Sequence, residues 1–261
     1  MAKLKHFGIL NIKHYVIFIT IISLISCKNT PEHLTELTGK QIAIDSSFTS
    51  VDSIRNFIQP YHDRVESILD STLAYAPYVI SKSDGKFNTT AGNLMADIVL
   101  SETNSIFKKL TGHNIDMVLL NHGGIRSIIS KGNVTSRTAY EVMPFENSVV
   151  VVELKGASLM KMVDYLIKSK RAHPIAGAQI ILNNDNTVNT FTVGGKPLDK
   201  NKSYYIATSD YLVTGGDNMG FFKDAISKTE SDYKIRNAMI DFFSKVDTLA
   251  PKVDLRYYQL Q

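Results

Sequence analysis

The chain contains no tryptophan and only one cysteine in 261 residues. A single thiol closes no disulfide within the chain, so packing alone must hold the fold. Runs of Lys or Arg are also missing. The 29 basic and 25 acidic residues give a formal charge of +4, and three of the lysines lie in the first 26 residues. Without those three the balance is 26 to 25, or +1. A nearly neutral chain with no basic stripe is not built for nucleic acid, and no such partner is expected. Clustered metal ligands are absent too. His6, His14, His33, His62, His113, His122 and His173 are scattered, whereas metal-assisted hydrolysis needs several ligands gathered around an activated water. There is no internal repeat and no low-complexity tract. Long apolar runs are absent with one exception, the eleven residues from Tyr15 to Ile25. That is short of the roughly 20 residues that cross a bilayer as a helix.

The exception has a context. Lys3, Lys5 and Lys13 make a positive region before it, and Leu24-Ile25-Ser26-Cys27 follows at once. This is the layout of a signal peptide, and its end resembles the lipobox of bacterial lipoproteins. Cleavage before Cys27 would leave its thiol to carry a diacylglycerol anchor. The alternatives are an ordinary export signal with an incidental cysteine, or an uncleaved anchor. The expectation is an exported bacterial lipoprotein, membrane-anchored at the periplasm or cell surface. Residues 1–26 form its signal peptide, 27–45 a polar tether containing Pro31, and 46–261 a single domain.

Within that domain, Ile54, Phe57, Ile58, Tyr61, Val65, Ile68 and Leu69 recur at helical spacing around Pro60. Thr90 can cap a helix from Ala91 to about Leu110 that stops at Gly112. Ile115 to Leu120 reads as a buried strand, and Tyr78 to Ser81 as a short one. A short helix is expected at Thr138 to Met143, a β-branched strand at Ser148 to Leu154, and a helix after Gly156. Gln179 to Leu182 and Thr187 to Val193 suggest a hairpin around Asn183 to Asn186. A strand at Tyr204 to Thr208, a helix at Ile235 to Val246 and a strand at Val253 to Tyr258 complete the pattern. Helices and strands mix without strict alternation, which predicts an α+β fold with a mixed sheet and flanking helices.

Three loop segments carry chemistry. Asn121-His122-Gly123-Gly124-Ile125-Arg126 follows the buried strand. Its glycines let a ligand approach the backbone, and Arg126 offers a planar fork to phosphate, carboxylate or ribose oxygens. Taken alone, this is equally an ordinary glycine turn with a surface arginine. In Pro144-Phe145-Glu146-Asn147, Phe145 is either a core residue or a stacking wall for a base. Asn147 could read a base edge with its amide, and Glu146 is expected to be solvated. Tyr211 to Asp217 supplies a second aromatic, the Gly215-Gly216 turn and a carboxylate able to accept from a ribose diol.

Together these segments resemble the C-terminal domain of the 5'-nucleotidase family, which includes UDP-sugar hydrolases and 2',3'-cyclic phosphodiesterases. The family pattern is N-x-G-G-I-R, then P-F-x-N before a strand, then an aromatic followed closely by G-G-D. All three occur here in that order. Gly92-Asn93-Leu94-Met95-Ala96-Asp97 is similar to the family's G-N-L-x-x-D helix start, and Pro60-Tyr61 to the helix that joins the two domains of the full enzyme. The resemblance runs from about Ile54 to the chain end. It implies a nucleoside held between Phe145 and Tyr211, with Asn147 on the base and Asp217 on the ribose. Asn121, Gly124, Arg126 and Gly216 complete the implied substrate-binding set. Two departures stand out. The second aromatic is Tyr211 where Phe is frequent, and the stretch before Gly92 offers only Lys82 and Lys86 where the family commonly has Arg. A lysine lacks the bidentate fork, which puts phosphate grip in doubt.

The family's chemistry lies in a larger N-terminal domain with D-x-H, G-N-H-[DE] and G-H-x-H motifs. None of these occurs here, and Asn121-His122 lacks the acid that would follow in such a motif. No catalytic or metal-binding residue is therefore assigned to this chain, and His122 is expected to border the pocket. Two divalent metals are expected only in a separate catalytic partner. Three readings follow: the binding half of a split 5'-nucleotidase working with a metallophosphatase chain, a non-catalytic nucleoside-binding lipoprotein, or an unused scaffold. Retention of both aromatics, Asn147 and Asp217 speaks against the last.

Overall fold

The structure, a computed structural model, describes residues 7–24, 34, 36–45 and 47–261. Cys27 and the expected cleavage site lie outside the described residues. The chain divides into two compact units, Met1–Val51 and Asp52–Gln261. Among the described residues of the first there is one helix, α1 (Phe7–Leu24). Among the described residues no helix is long and apolar enough to cross a membrane.

The second unit begins with α2 (Asp52–Leu69), which runs through Pro60 and buries none of its residues. The strand β1 (Thr72–Ala76) follows, then α3 (Thr90–Thr111), β2 (Met117–Leu119), β3 (Gly132–Thr135), α4 (Ser136–Val142), β4 (Ser148–Lys155) and α5 (Gly156–Ser169). The chain continues through β5 (Ile175–Ala176), β6 (Ala178–Leu182), β7 (Val188–Val193), β8 (Lys196–Pro197) and β9 (Ser203–Ser209). It ends with α6 (Asp210–Val213), β10 (Ser227–Lys234), α7 (Ile235–Phe243) and β11 (Tyr257–Gln259). Five strands form the central sheet in the order β10-β4-β9-β2-β5. β2 and β9 are parallel and the other neighbours antiparallel, so the fold is the α+β arrangement with a mixed sheet that the pattern predicts. A four-stranded sheet, β11-β6-β7-β8, and a β1–β3 pair complete it.

Both faces of the central sheet are covered. On β4, Val149 and Val151 pack into one apolar cluster with residues of α3 and α7, while Val150, Val152 and Leu154 pack into another with residues of α5. The same alternation splits Val118 and Leu120 from Met117 and Leu119. Strands buried on both faces lose the polar alternation of a half-exposed strand, which explains the unbroken apolar runs in the sequence.

Local signals account for most element ends. Thr89, not Thr90, caps α3, accepting from the Gly92 amide, and Gly112 ends it in the left-handed conformation. Thr90 instead bonds Ser81 and Asp84. Thr135 and Thr138 form a reciprocal capping box on α4. The strand expected at Tyr78 to Ser81 is only a bridge between Ile80 and Ile129; the regular strand lies earlier, at β1. The edge strand β10 has no counterpart in the sequence reading. Its residues are largely polar and none is fully buried, so they carry no apolar period, and its pairing to β4 supplies the strand.

Candidate functional site

The sheet order brings the three motif loops to one end of the three central strands, β4, β9 and β2. β2 and β9 run parallel and both end there, with Val118 opposite Ala207. β4 is antiparallel to β9, and its start at Val149 faces Ser209 at the end of β9. The loop after β2, the loop before β4 and the loop after β9 therefore converge, as expected for a site beyond the carboxyl ends of strands. A cavity of about 290 Å³ opens between them. Asn121, Gly124, Arg126, Phe145, Asn147, Tyr211 and Asp217 all line it. Of the expected substrate-binding residues only Gly216 does not. It backs the Tyr211 ring, and a Cβ there would sit 2.4 Å from a ring carbon. Gly216 thus allows Tyr211 to lie flat against the backbone.

Asp217 is the most heavily tied residue of the site. Asn121 Nδ2 donates to its Oδ2 at 2.8 Å, and Tyr211 Oη donates to its Oδ1 at 3.2 Å. Tyr165 Oη donates to its backbone carbonyl at 2.8 Å. Its backbone is left-handed at φ 50°, a conformation Asp tolerates better than most residues. Asn121 is held in turn by the close approach of Gly124, where a Cβ would stand 2.9 Å from Asn121 Oδ1. One side of the cavity is therefore a connected Asn–Asp–Tyr set with acceptor capacity left on both carboxylate oxygens.

The other side is Phe145 and Arg126. Phe145 is 40% exposed and Tyr211 43%, so Phe145 is not the core residue that a strand start would suggest. The Arg126 guanidinium lies over the Phe145 ring at 5.8 Å from its centre, within cation–π range. Glu146 projects into solvent but is not merely solvated. It pairs with both Lys234 and Arg236, which hold its carboxyl down at about 2. Arg236 is itself buried, stacks at 4.1 Å from the Tyr140 ring centre and also reaches the Phe145 carbonyl. Arg236 and the backbone bond from Ile235 to the Asn147 carbonyl fix the loop that presents Phe145 and Asn147. No local motif points to Arg236, 90 residues away from Glu146, or to Tyr165.

The lysines and histidines sort differently. Lys82 donates to the Ile125 carbonyl at 2.5 Å, behind the Arg126 turn. Lys86 lies elsewhere, over the Phe87 ring. His122 borders an adjoining cavity that shares Gly123 and Asp217 with the first. Its backbone amide donates to His173 Nδ1 at 3.3 Å. His173 is buried, and burial together with the neighbouring His122 pushes its imidazole down to about 4. Among the described residues no three His, Cys, Asp or Glu side chains come together as a metal site.

A profile of the 5'-nucleotidase C-terminal domain matches residues 74–224, a stretch that contains every residue of the cavity, and the chain belongs to that family. It is similar to the 5'-nucleotidase of Bos taurus, 23% identical over 242 residues, covering 84% of this chain and 42% of the relative. It is similar to Protein UshA of Escherichia coli (strain K12), 32% identical over 108 residues, covering 39% of this chain and 19% of the relative. In fold it matches the 5'-nucleotidase precursor of Thermus thermophilus. The TM-score is 0.66 and the identity 21%, over 80% of this chain and 43% of that one. The chain spans less than half the length of each of these relatives.

Proposed function

We propose that this chain is the nucleoside- or nucleotide-binding half of a 5'-nucleotidase-type phosphohydrolase in nucleotide catabolism, with the metal-bearing catalytic half on a separate chain. One observation carries the reading: two exposed aromatics, two amides, a carboxylate and an arginine from three distant loops line a single cavity. In this reading Phe145 and Tyr211 hold the base, Asn147 reads its edge, Asp217 accepts from the ribose, and Arg126 faces the 5'-phosphate. The exposed apolar stripe of α2, with Phe57 71% exposed, is the surface left for a metallophosphatase partner. The two divalent metals belong to that partner, and no step of the hydrolysis is assigned to residues here. Lipidation at Cys27 would tether the assembly to a membrane at the periplasm or cell surface. A non-catalytic nucleoside-binding lipoprotein is the second reading, supported by the ready-made Asn121–Asp217–Tyr211 set.

Calorimetry tests the site. A base stacked on an aromatic gains about 1–3 kcal/mol, so Phe145→Ala or Tyr211→Ala should weaken adenosine binding by about tenfold or more. Asp217→Asn should penalise adenosine more than free adenine, and Arg126→Ala should penalise AMP at least as much as adenosine. Tight binding indifferent to both aromatic substitutions would place the ligand elsewhere. Phosphate release from AMP by the pure chain with Mn²⁺, Co²⁺ or Zn²⁺ would overturn the split-enzyme reading.

A further inference from the structure

A further cavity, of about 350 Å³, shares no wall residue with the one between the motif loops. The last turns of α5, the strands β6 and β11 and the stretch before α3 all contribute to it. Leu166, Leu182 and Tyr257 give it an apolar floor that is continuous with the core beneath α5. Phe87 extends that floor, its ring centre 5.0 Å from that of Tyr257.

The rest of the wall is basic. Lys86 comes from the stretch before α3, and Lys170 and Arg171 from the end of α5. No Asp or Glu lines the cavity, and none of the three cations has a carboxylate partner among the described residues. Lys86 rests over the Phe87 ring and donates to the Gln259 amide oxygen at 3.3 Å, both neutral groups. Cations at a helix C-terminus answer the negative end of its dipole, which accounts for Lys170 and Arg171. It does not account for Lys86, nor for Tyr257. That residue is 2% exposed, yet its hydroxyl has no hydrogen-bond partner among the described residues. Burial alone pushes the hydroxyl up to about 12, so it remains a neutral donor. A buried hydroxyl without a partner is destabilising, and phenylalanine would fill the same space. The hydroxyl is a donor left over for a molecule that enters the cavity.

We propose that this cavity is a second ligand site, for a small organic acid that carries two carboxylates on an apolar body. The body lies on the floor of Phe87, Leu182 and Tyr257. One carboxylate meets the Arg171 fork with Lys170 beside it, the other meets Lys86, and the Tyr257 hydroxyl donates to one of them. A bare inorganic anion leaves the floor unused, and a neutral apolar ligand leaves the cations unused. The proposal stands apart from the nucleoside reading, because no residue of the first cavity takes part.

Calorimetry on the purified full chain at neutral pH tests it, with isophthalate, benzoate and inorganic phosphate as probes. Isophthalate should bind about tenfold or more tighter than benzoate, the scale of one further charge-assisted contact. It should exceed phosphate by at least as much, since phosphate buries no ring. Lys86→Gln should bring isophthalate down to the level of benzoate, and Arg171→Gln should weaken both acids. Tyr257→Phe should weaken isophthalate without lowering Tm. Lys86 and Arg171 are exposed, so their variants should melt with wild type. Phe145→Ala, in the first cavity, should change nothing. If isophthalate binds no tighter than phosphate, the cations merely collect anions and the proposal fails. It fails equally if isophthalate binding survives Lys86→Gln and Arg171→Gln combined, or if Phe145→Ala abolishes it, which would put the ring in the first cavity. Absence of binding at millimolar isophthalate also overturns it.

Discussion

Helices α2 and α3 have 18 and 22 residues and both are amphipathic, yet they lead opposite lives. α3 buries eleven residues against the central sheet and α7, and a threonine and a glycine close its two ends. α2 buries none. Its apolar residues Ile54, Phe57, Ile58, Tyr61, Val65 and Ile68 are all at least half exposed, and ion pairs from Arg137 to Glu66 and Asp70 tie its last turns to α4. A monomeric protein has little reason to keep such a stripe in water. The contrast teaches that an apolar period announces a face to be covered but not what covers it. α3 is completed by its own chain; α2 is the element whose completion we assign to a partner.

The largest effect that could break this contrast is on core packing. Ile98 on α3 is fully buried, and Ile98→Ala should cost about 2–5 kcal/mol. Ile58→Ala on α2 should change the stability of the isolated chain by no more than about 0.5 kcal/mol. Urea denaturation measures both; equal losses would mean that α2 is packed in solution.

A second effect comes from the buried ground beside the start of α3, where Pro174 packs against Gly92 and His173 precedes it. The His173 pKa falls from 6.5 to about 4 on folding. A lowered value means that the unfolded chain takes up the proton first. The stability from keeping this imidazole neutral is full above pH 6.5 and drains away as the pH falls towards 4, by up to about 3 kcal/mol at 1.36 kcal/mol per unit. His173→Gln should flatten that slope in urea titrations between pH 7 and 4; an unchanged slope would show that another group sets it.

The smallest effect sharpens the picture of α2 itself. Arg137 joins exposed partners, and such pairs are screened by water and contribute little to stability. Arg137→Ala should leave global stability nearly unchanged but speed amide exchange in the last turns of α2. If exchange stays the same, apolar contacts rather than these ion pairs hold the helix end.

Much of this protein is legible in its residues alone. The glycine turns, the isolated aromatics and the Asp after Gly-Gly announce the three loops, because turn chemistry and a ligand's need for flat faces are local demands. α3, α5, β2 and β4 are legible because burial writes its period, or its unbroken apolar run, into the residues themselves. The polar edge strand β10 leaves no such mark, since its conformation comes from the neighbour it pairs with. Nor could any spacing show that buried Arg236 and the Ile235 amide would brace the Phe145 loop, or that Tyr165 on α5 would hold the Asp217 carbonyl. Residues this far apart in the chain become neighbours only when the mixed sheet sets its strand order. The sequence by itself determined which loops could hold a ligand. Only the tertiary structure decided that they meet at one end of the central strands, because strand order and direction are settled by long-range pairing and by burial of both sheet faces.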